Sequence, residues 1–157
     1  TYPLPEAQMD RFAMCFPLGY VAIDDEMALI DDQTAGHPVD HLTSCVTLDE
    51  LAAMRALVCD VHLAPDLKRY IATLVAATRT ASGVRLGASP RATLHLARLA
   101  RTLAAFDGLD YVTPDHVQEV AIPALAHRIA IEPQARFAGA SGERVIAQVL
   151  EQIAVPA

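Results

Sequence analysis

Two arginines sit in settings that suit phosphate chemistry. Arg91 follows Gly87-Ala88-Ser89-Pro90, small residues that permit close backbone approach, and falls in the first turn of a helix, whose free N–H groups attract anions. A four-and-three step then sets Arg91, His95 and Arg98 along one face, away from a leucine stripe. On spacing alone a solvated polar face is the plainer reading, and the small residues are what favour a phosphate contact. Arg11, between Asp10 and Phe12 in the run Pro5-Glu6-Ala7-Gln8-Met9-Asp10-Arg11-Phe12, reads on its own as half of a local ion pair. Such a pair is worth ~0–1 kcal/mol when exposed. The single lysine, Lys68, is flanked by Asp66, Leu67, Arg69 and Tyr70, so no Gly-x-x-x-x-Gly-Lys-Ser/Thr phosphate loop exists here. Gly83-x-x-x-Gly87 has the wrong spacing and no lysine, and reads as a turn before a helix. Charge-stabilising arginines with no site to serve suggest a fragment.

Other reactive residues form no constellation. His37-Pro38-Val39-Asp40-His41 offers two imidazoles and a carboxylate, but Pro38 opposes the helical face that an H-E-x-x-H zinc site needs, and its glutamate is missing. No metal site is expected. His62, His116 and His127 are dispersed on helices or their ends, which points to packing or surface roles. Cys15, Cys45 and Cys59 are odd in number, lack a C-x-x-C pair and have no evident histidine partner. There is no Gly-x-Ser-x-Gly elbow. No self-contained catalytic site can be read.

The elements that must position the arginines are helical. Hydrophobic residues make up 53% of the 157 residues but aromatics only 5%, with no Trp, so Ala, Leu, Val and Ile must build the core. The periodicity predicts a short helix over residues 5–14, an extended segment over 15–20 and an acidic helix over 24–32. Residues 33–46 read as a loop or linker. Thr47-Leu48-Asp49-Glu50 is a capping box opening a helix to about Asp60, with Leu51, Met54, Val58 and Val61 at helical spacing. A helix from Pro65 sets Leu67, Tyr70, Ile71, Leu74, Val75 and Thr78 on one face. Ser89-Pro90 opens the next, with Leu96, Leu99, Leu103 and Phe106 as its buried stripe, and Asp107-Gly108 ends it. Thr113-Pro114 opens a fourth, which Pro123 should kink or split. A last helix from about Ser141 buries Ile146, Val149, Leu150 and Ile153.

A lone strand at 15–20 has no other convincing strand to join, so residues 2–20 are expected to be mobile or to borrow contacts from another copy. Residues 47–153 should form an autonomous bundle. The net charge of -7 opposes nonspecific binding to nucleic acid. No apolar run approaches the ~20 residues of a membrane span, and no signal segment opens the chain, so a soluble protein of a reducing cytoplasm is expected.

Five segments in order carry a family resemblance: the run from Thr1 to Phe12, Gly19-Tyr20, Gly87-Ala88-Ser89-Pro90-Arg91-Ala92, Asp110-Tyr111-Val112-Thr113-Pro114-Asp115-His116-Val117, and Leu125-Ala126-His127-Arg128. Together they closely resemble the C-terminal part of MoxR-type AAA+ ATPases. The resemblance implies an all-α bundle of the AAA+ lid type, preceded by a short helix and one orphan strand from the end of an α/β core. It divides the chain into a core remnant at 1–33, a linker at 34–46 and a lid domain at 47–157. It implies Arg11 as an arginine finger acting in trans and Arg91 as the second sensor, contacting nucleotide phosphate. It further implies ATP and Mg2+ in the full-length protein, assembly as a ring, a hexamer, and protein clients or partners bearing a von Willebrand factor A domain. The fragment alone would be inactive and bind no cofactor tightly, because the Walker A and B residues fall outside it. Two other readings are a nonenzymatic helical interaction module and a helix-turn-helix DNA binder using residues 90–106, the latter disfavoured by the acidic charge.

Overall fold

The structure, a computed structural model, describes residues 4–35 and 37–156. Thr1, Tyr2 and Pro3, which open the first motif, and Gly36 lie outside the described residues. The chain divides into two compact units, one joining residues 4–15 to 55–156 and the other comprising 16–54. The fold is mostly helical.

The larger unit holds α1 (Glu6–Met9), the end of α3 (Leu48–Asp60), α4 (Pro65–Ala77), α5 (Pro90–Phe106), α6 (Pro114–Leu125), α7 (Pro133–Phe137) and α8 (Gly142–Gln152). Four of these helices, α4 to α7, start with proline in the first turn, where its missing N–H costs nothing. The core lies between α4, α5, α6 and α8, where Ile71, Leu74, Leu96, Leu125 and Ile146 are almost wholly buried. The buried faces of α4 and α8 hold the expected Leu67, Tyr70, Ile71, Leu74, Val75, Ile146 and Val149. Leu150 and Ile153 pack partly buried against the same core.

On α5 the buried stripe differs from the expected one. Ala92, Leu96, Ala100 and Ala104 face the core, Leu99 and Leu103 are partly buried, and Phe106 is 82% exposed. The reason is close packing on α6. A ridge at four-residue spacing with three alanines around Leu96 lets two helices interlock closely, which favours small side chains at the contact over the more hydrophobic leucines beside them. Pro123 likewise does not split α6, which continues to Leu125 before a 3-10 turn at Ala126–Arg128.

Sequence periodicity also missed a two-stranded antiparallel ribbon, β1 (Val84–Leu86) with β2 (Ala130–Ile131), pairing Val84 with Ile131 and Leu86 with Ala130. Strands this short show no alternation to read. Conversely, residues 15–20 form no strand, because no ladder partner is present among the described residues. Residues 4–15 instead pack with the bundle, contrary to the expectation of a mobile tail.

Local capping follows chemistry that can be tested. Thr113 caps α6, and its N–H donates to His116 Nδ1 at 2.9 Å, while His116 Nε2 lies 3.1 Å from Asp107 Oδ2. Nδ1 accepts, so the proton sits on Nε2, facing the carboxylate. His116 thereby ties the start of α6 to the end of α5. His116→Ala is expected to cost about 1–2 kcal/mol, read as a lowered urea midpoint; an unchanged midpoint would show that the tie is idle.

The smaller unit, residues 16–54, holds α2 (Ile23–Ala35), a 3-10 turn at Pro38–His41 and the start of α3. The capping box forms as expected: Thr47 N–H donates to Glu50 Oε2 at 2.7 Å, and Glu50 N–H donates to Thr47 Oγ1 at 3.2 Å. The Thr47 N–H bond, joined by one from Thr47 Oγ1 at 2.9 Å, holds the Glu50 carboxyl below its ordinary range. Leu51 and Met54, set at helical spacing in the sequence, are exposed. His37 Nδ1 accepts from Val39 N–H at 3.3 Å, turning the His37-to-His41 segment on itself.

Candidate functional site

Three motifs far apart in sequence meet at Asp10. Its carboxylate accepts from Ser89 Oγ at 2.9 Å, accepts from Arg128 Nε at 3.3 Å, and lies 3.7 Å from an Arg91 guanidinium nitrogen. Ser89 also caps α5, accepting from Arg91 N–H at 3.2 Å. A single carboxylate at the end of α1 thus joins the start of the lid helix to the turn after α6.

The Gly87-Ala88-Ser89 run is shaped by that meeting. A Cβ at Gly87 would lie 2.5 Å from Arg79 Cα and 2.7 Å from Arg79 N, so only glycine fits. Ala88 is buried, its N–H donates to Thr78 Oγ1 at 3.0 Å, and its carbonyl accepts from Arg79 Nε at 3.0 Å. The close approach expected of these small residues is present, and its partner is the end of α4.

Arg128 is the buried cation of the site, its side chain 1% exposed. Besides Asp10, it donates to the carbonyls of Asp10 at 3.3 Å and Ala13 at 3.2 Å, and to those of Phe12 and Ala124. Burial pulls its guanidinium below the ordinary arginine value, and Asp10 opposes that pull. A buried guanidinium is tolerable only when its donors are met, and here oxygens surround it. His127 Nε2 adds a bond to the Phe12 carbonyl at 3.1 Å, so its proton sits on Nε2. The Cys15 N–H closes the segment on the Pro123 carbonyl at 2.9 Å.

The two arginines singled out in the sequence are placed differently. Arg91 is exposed on the first turn of α5 and pairs with Asp10. Arg11 is exposed, and among the described residues its guanidinium has no hydrogen-bond or ion-pair partner. A cleft of about 630 Å3 opens beside Asp10, Arg79, Arg85 and Arg128. Its cations are already committed, Arg79 to Ala88, Arg85 to Glu6 and Arg128 to Asp10. Sequence reasoning missed Asp10, Ser89 and Arg128 as a group. The only signal was their presence in separate motifs.

Two histidines give the site a pH response. Burial lowers the His127 value, reinforced by Arg128 and opposed by the Phe12 bond, Pro123 and Asp10. Burial also lowers His95, with Arg128, Arg98 and Arg91 adding to the effect and Asp10 opposing it. Unfolded histidine takes up its proton near 6.5, above both folded values. The stability they contribute is therefore full above about 6.5 and is lost as pH falls through the folded values. Urea midpoints should drop between pH 8 and 5.5, and His95→Gln with His127→Gln should flatten that drop. An equal drop in the double variant would exclude these two groups as its cause.

Comparison with known proteins agrees with this architecture. Residues 76–149 match the AAA lid domain. The chain is 33% identical over 156 residues to the uncharacterized protein YeaC of Bacillus subtilis, and 34% identical over 165 residues to the chaperone MoxR1 of Mycobacterium tuberculosis. Each match covers 99% of this chain, and 49% and 43% of those proteins. The chain thus spans about half the length of the curated relatives it matches. The crystal structure of a Cytophaga hutchinsonii protein assigned as an ATPase superposes with a TM-score of 0.88 at 32% identity, over 99% of this chain and 50% of that one. Among the described residues no helix is long and apolar enough to cross a membrane. The lid-domain match, the relatives that carry the MoxR name and the helical bundle itself agree in likening this chain to the lid-bearing part of MoxR-type AAA+ proteins.

Proposed function

We propose that this chain is the lid and arginine-finger portion of a MoxR-like AAA+ ATPase that remodels or matures other proteins at the expense of ATP. Arg11 acts in trans, on nucleotide held by a neighbouring subunit of a ring, and Arg91 is the second sensor, which meets nucleotide phosphate. The observation that carries the reading is the exposed Arg11 guanidinium: its flanking residues are tied to the bundle while its own charge is left unpaired among the described residues. A cation presented outward from an anchored segment suits a site on another molecule.

The chemistry requires little else of this chain. As the terminal phosphoryl bond breaks, negative charge moves onto oxygens that a guanidinium can meet. Arg91 now pairs with Asp10, so a phosphate would compete with that carboxylate for it. Among the described residues no group of three or more His, Cys, Asp or Glu is arranged to hold a metal, and the Mg2+ that accompanies ATP belongs to the full-length protein under this reading. The chain alone, with no phosphate loop, is inactive under this reading. A hexameric ring, a cytoplasmic setting, and a client or von Willebrand factor A partner belong to the same proposal, drawn from the family resemblance. The test is ATP hydrolysis by the protein carried to the length of its relatives, comparing the parent with Arg11→Ala and Arg91→Ala while recording oligomeric state. Loss of turnover in Arg11→Ala with rings intact supports the finger. Parental turnover in both variants removes the finger and second-sensor roles, and a parent that does not hydrolyse ATP removes the motor reading.

A further inference from the structure

We infer that Arg128 is a positioning residue for Arg11, with His127 as its auxiliary: the turn after α6 holds the backbone on both sides of Arg11 and so aims a side chain it never touches. The inference rests on the finger reading for its functional meaning, but the clamp itself stands on geometry. Arg128 bonds the carboxylate and carbonyl of Asp10, the residue before Arg11, and the carbonyls of Phe12 and Ala13, the two residues after it. His127 makes a second bond to Phe12, and Pro123 accepts from Cys15. Apart from Ala124 in α6, every hydrogen-bond partner of the Arg128 guanidinium among the described residues lies in this segment.

A buried arginine is a costly way to hold a short tail, since desolvating the charge offsets much of what its bonds contribute. Its advantage is geometric. A planar fork of five donors fixes several carbonyls in one arrangement, which an ammonium cannot do. Such precision has value only where a group in that segment must be placed accurately. The one exposed charge between the clamped residues is Arg11. Displacing a catalytic group by about 1 Å can lower rate about a hundredfold.

Two measurements test this. On this chain, mass spectrometry follows the initial rate of tryptic cleavage at Arg11–Phe12 against cleavage at Lys68 and Arg69 within α4. In Arg128→Lys and Arg128→Gln the first rate should rise on the order of ten- to a hundredfold, as expected for loss of charged hydrogen bonds, with the second unchanged. His127→Ala, which keeps Arg128, should give a smaller rise and serves if both Arg128 variants fail to fold. Equal rises at both places, or no rise at Arg11–Phe12, would overturn the clamp whatever Arg11 does. In the protein of full family length, Arg128→Lys should lower kcat for ATP at least tenfold with KM little changed, and should add nothing to Arg11→Ala. If Arg11→Ala abolishes turnover but Arg128→Lys matches the parent, positioning fails and the finger stands. If Arg11→Ala is itself without effect, the finger reading fails and the positioning claim falls with it.

Discussion

If Arg11 is the proposed finger, Arg11→Ala in the protein of full family length is expected to lower ATP turnover by about 10³ to 10⁵, the range in which an arginine finger acts, while leaving nucleotide affinity near that of the parent. The size follows from where the charge acts: a guanidinium that meets oxygens only as they gain charge stabilises the transition state and not the bound substrate, so kcat falls and KM does not. Arg11→Lys should recover little, because an ammonium lacks the planar fork. Acting in trans has a sharper signature. Subunits with Arg11→Ala but an intact nucleotide site, mixed with subunits whose phosphate-loop lysine is replaced but whose Arg11 is intact, should regain turnover, since each supplies what the other lacks. Mixtures as inactive as their components would place the finger in its own subunit or nowhere.

Gly87→Ala should be among the most costly single methyl additions in the bundle. The added carbon would meet the Arg79 backbone, which cannot swing aside as a side-chain tip would, and relief requires separating the end of α4 from the start of α5. The expected loss is about 3 kcal/mol, at the upper end for overpacking, read as a fall in urea midpoint at constant slope. Gly108→Ala provides the contrast. Gly108 has φ 73°, but nothing lies within 4 Å of its Cβ position, so only the left-handed backbone resists, at about 1–2 kcal/mol. Equal losses at the two glycines would mean that Gly87 is not wedged.

What could be read beforehand was local. Ser89 with Pro90, Thr47 with Glu50, and the tight approach at Gly87-Ala88 each depend on residues within a few positions of one another or on a general property of small side chains. The α5 face was misread because hydrophobicity ranks Leu99 and Phe106 above Ala100 and Ala104, whereas a close helix crossing selects for small volume. The 15–20 segment was apolar enough for a strand but lacks a partner among the described residues. The meeting at Asp10 had no local signal at all. Arg11 and Arg91 were noticed singly for their settings, but that the Asp10 carboxylate would meet Arg91 depended on Ser89 and Arg128, 79 and 118 positions away from Asp10 in sequence.

Those long separations carry a topological consequence. Because residues 4–15 are fastened to the bundle, the stretch from 16 to 54 is a closed excursion whose two ends are set by the larger unit. The entropy of closing such an excursion grows only logarithmically, about 0.6 kcal/mol for each doubling of its length. The stretch can therefore be lengthened, shortened or rewritten with little penalty to the Asp10 cluster. Docking of the Arg11 segment, in turn, depends on the turn at Ala126–Arg128, which supplies its side-chain bonds.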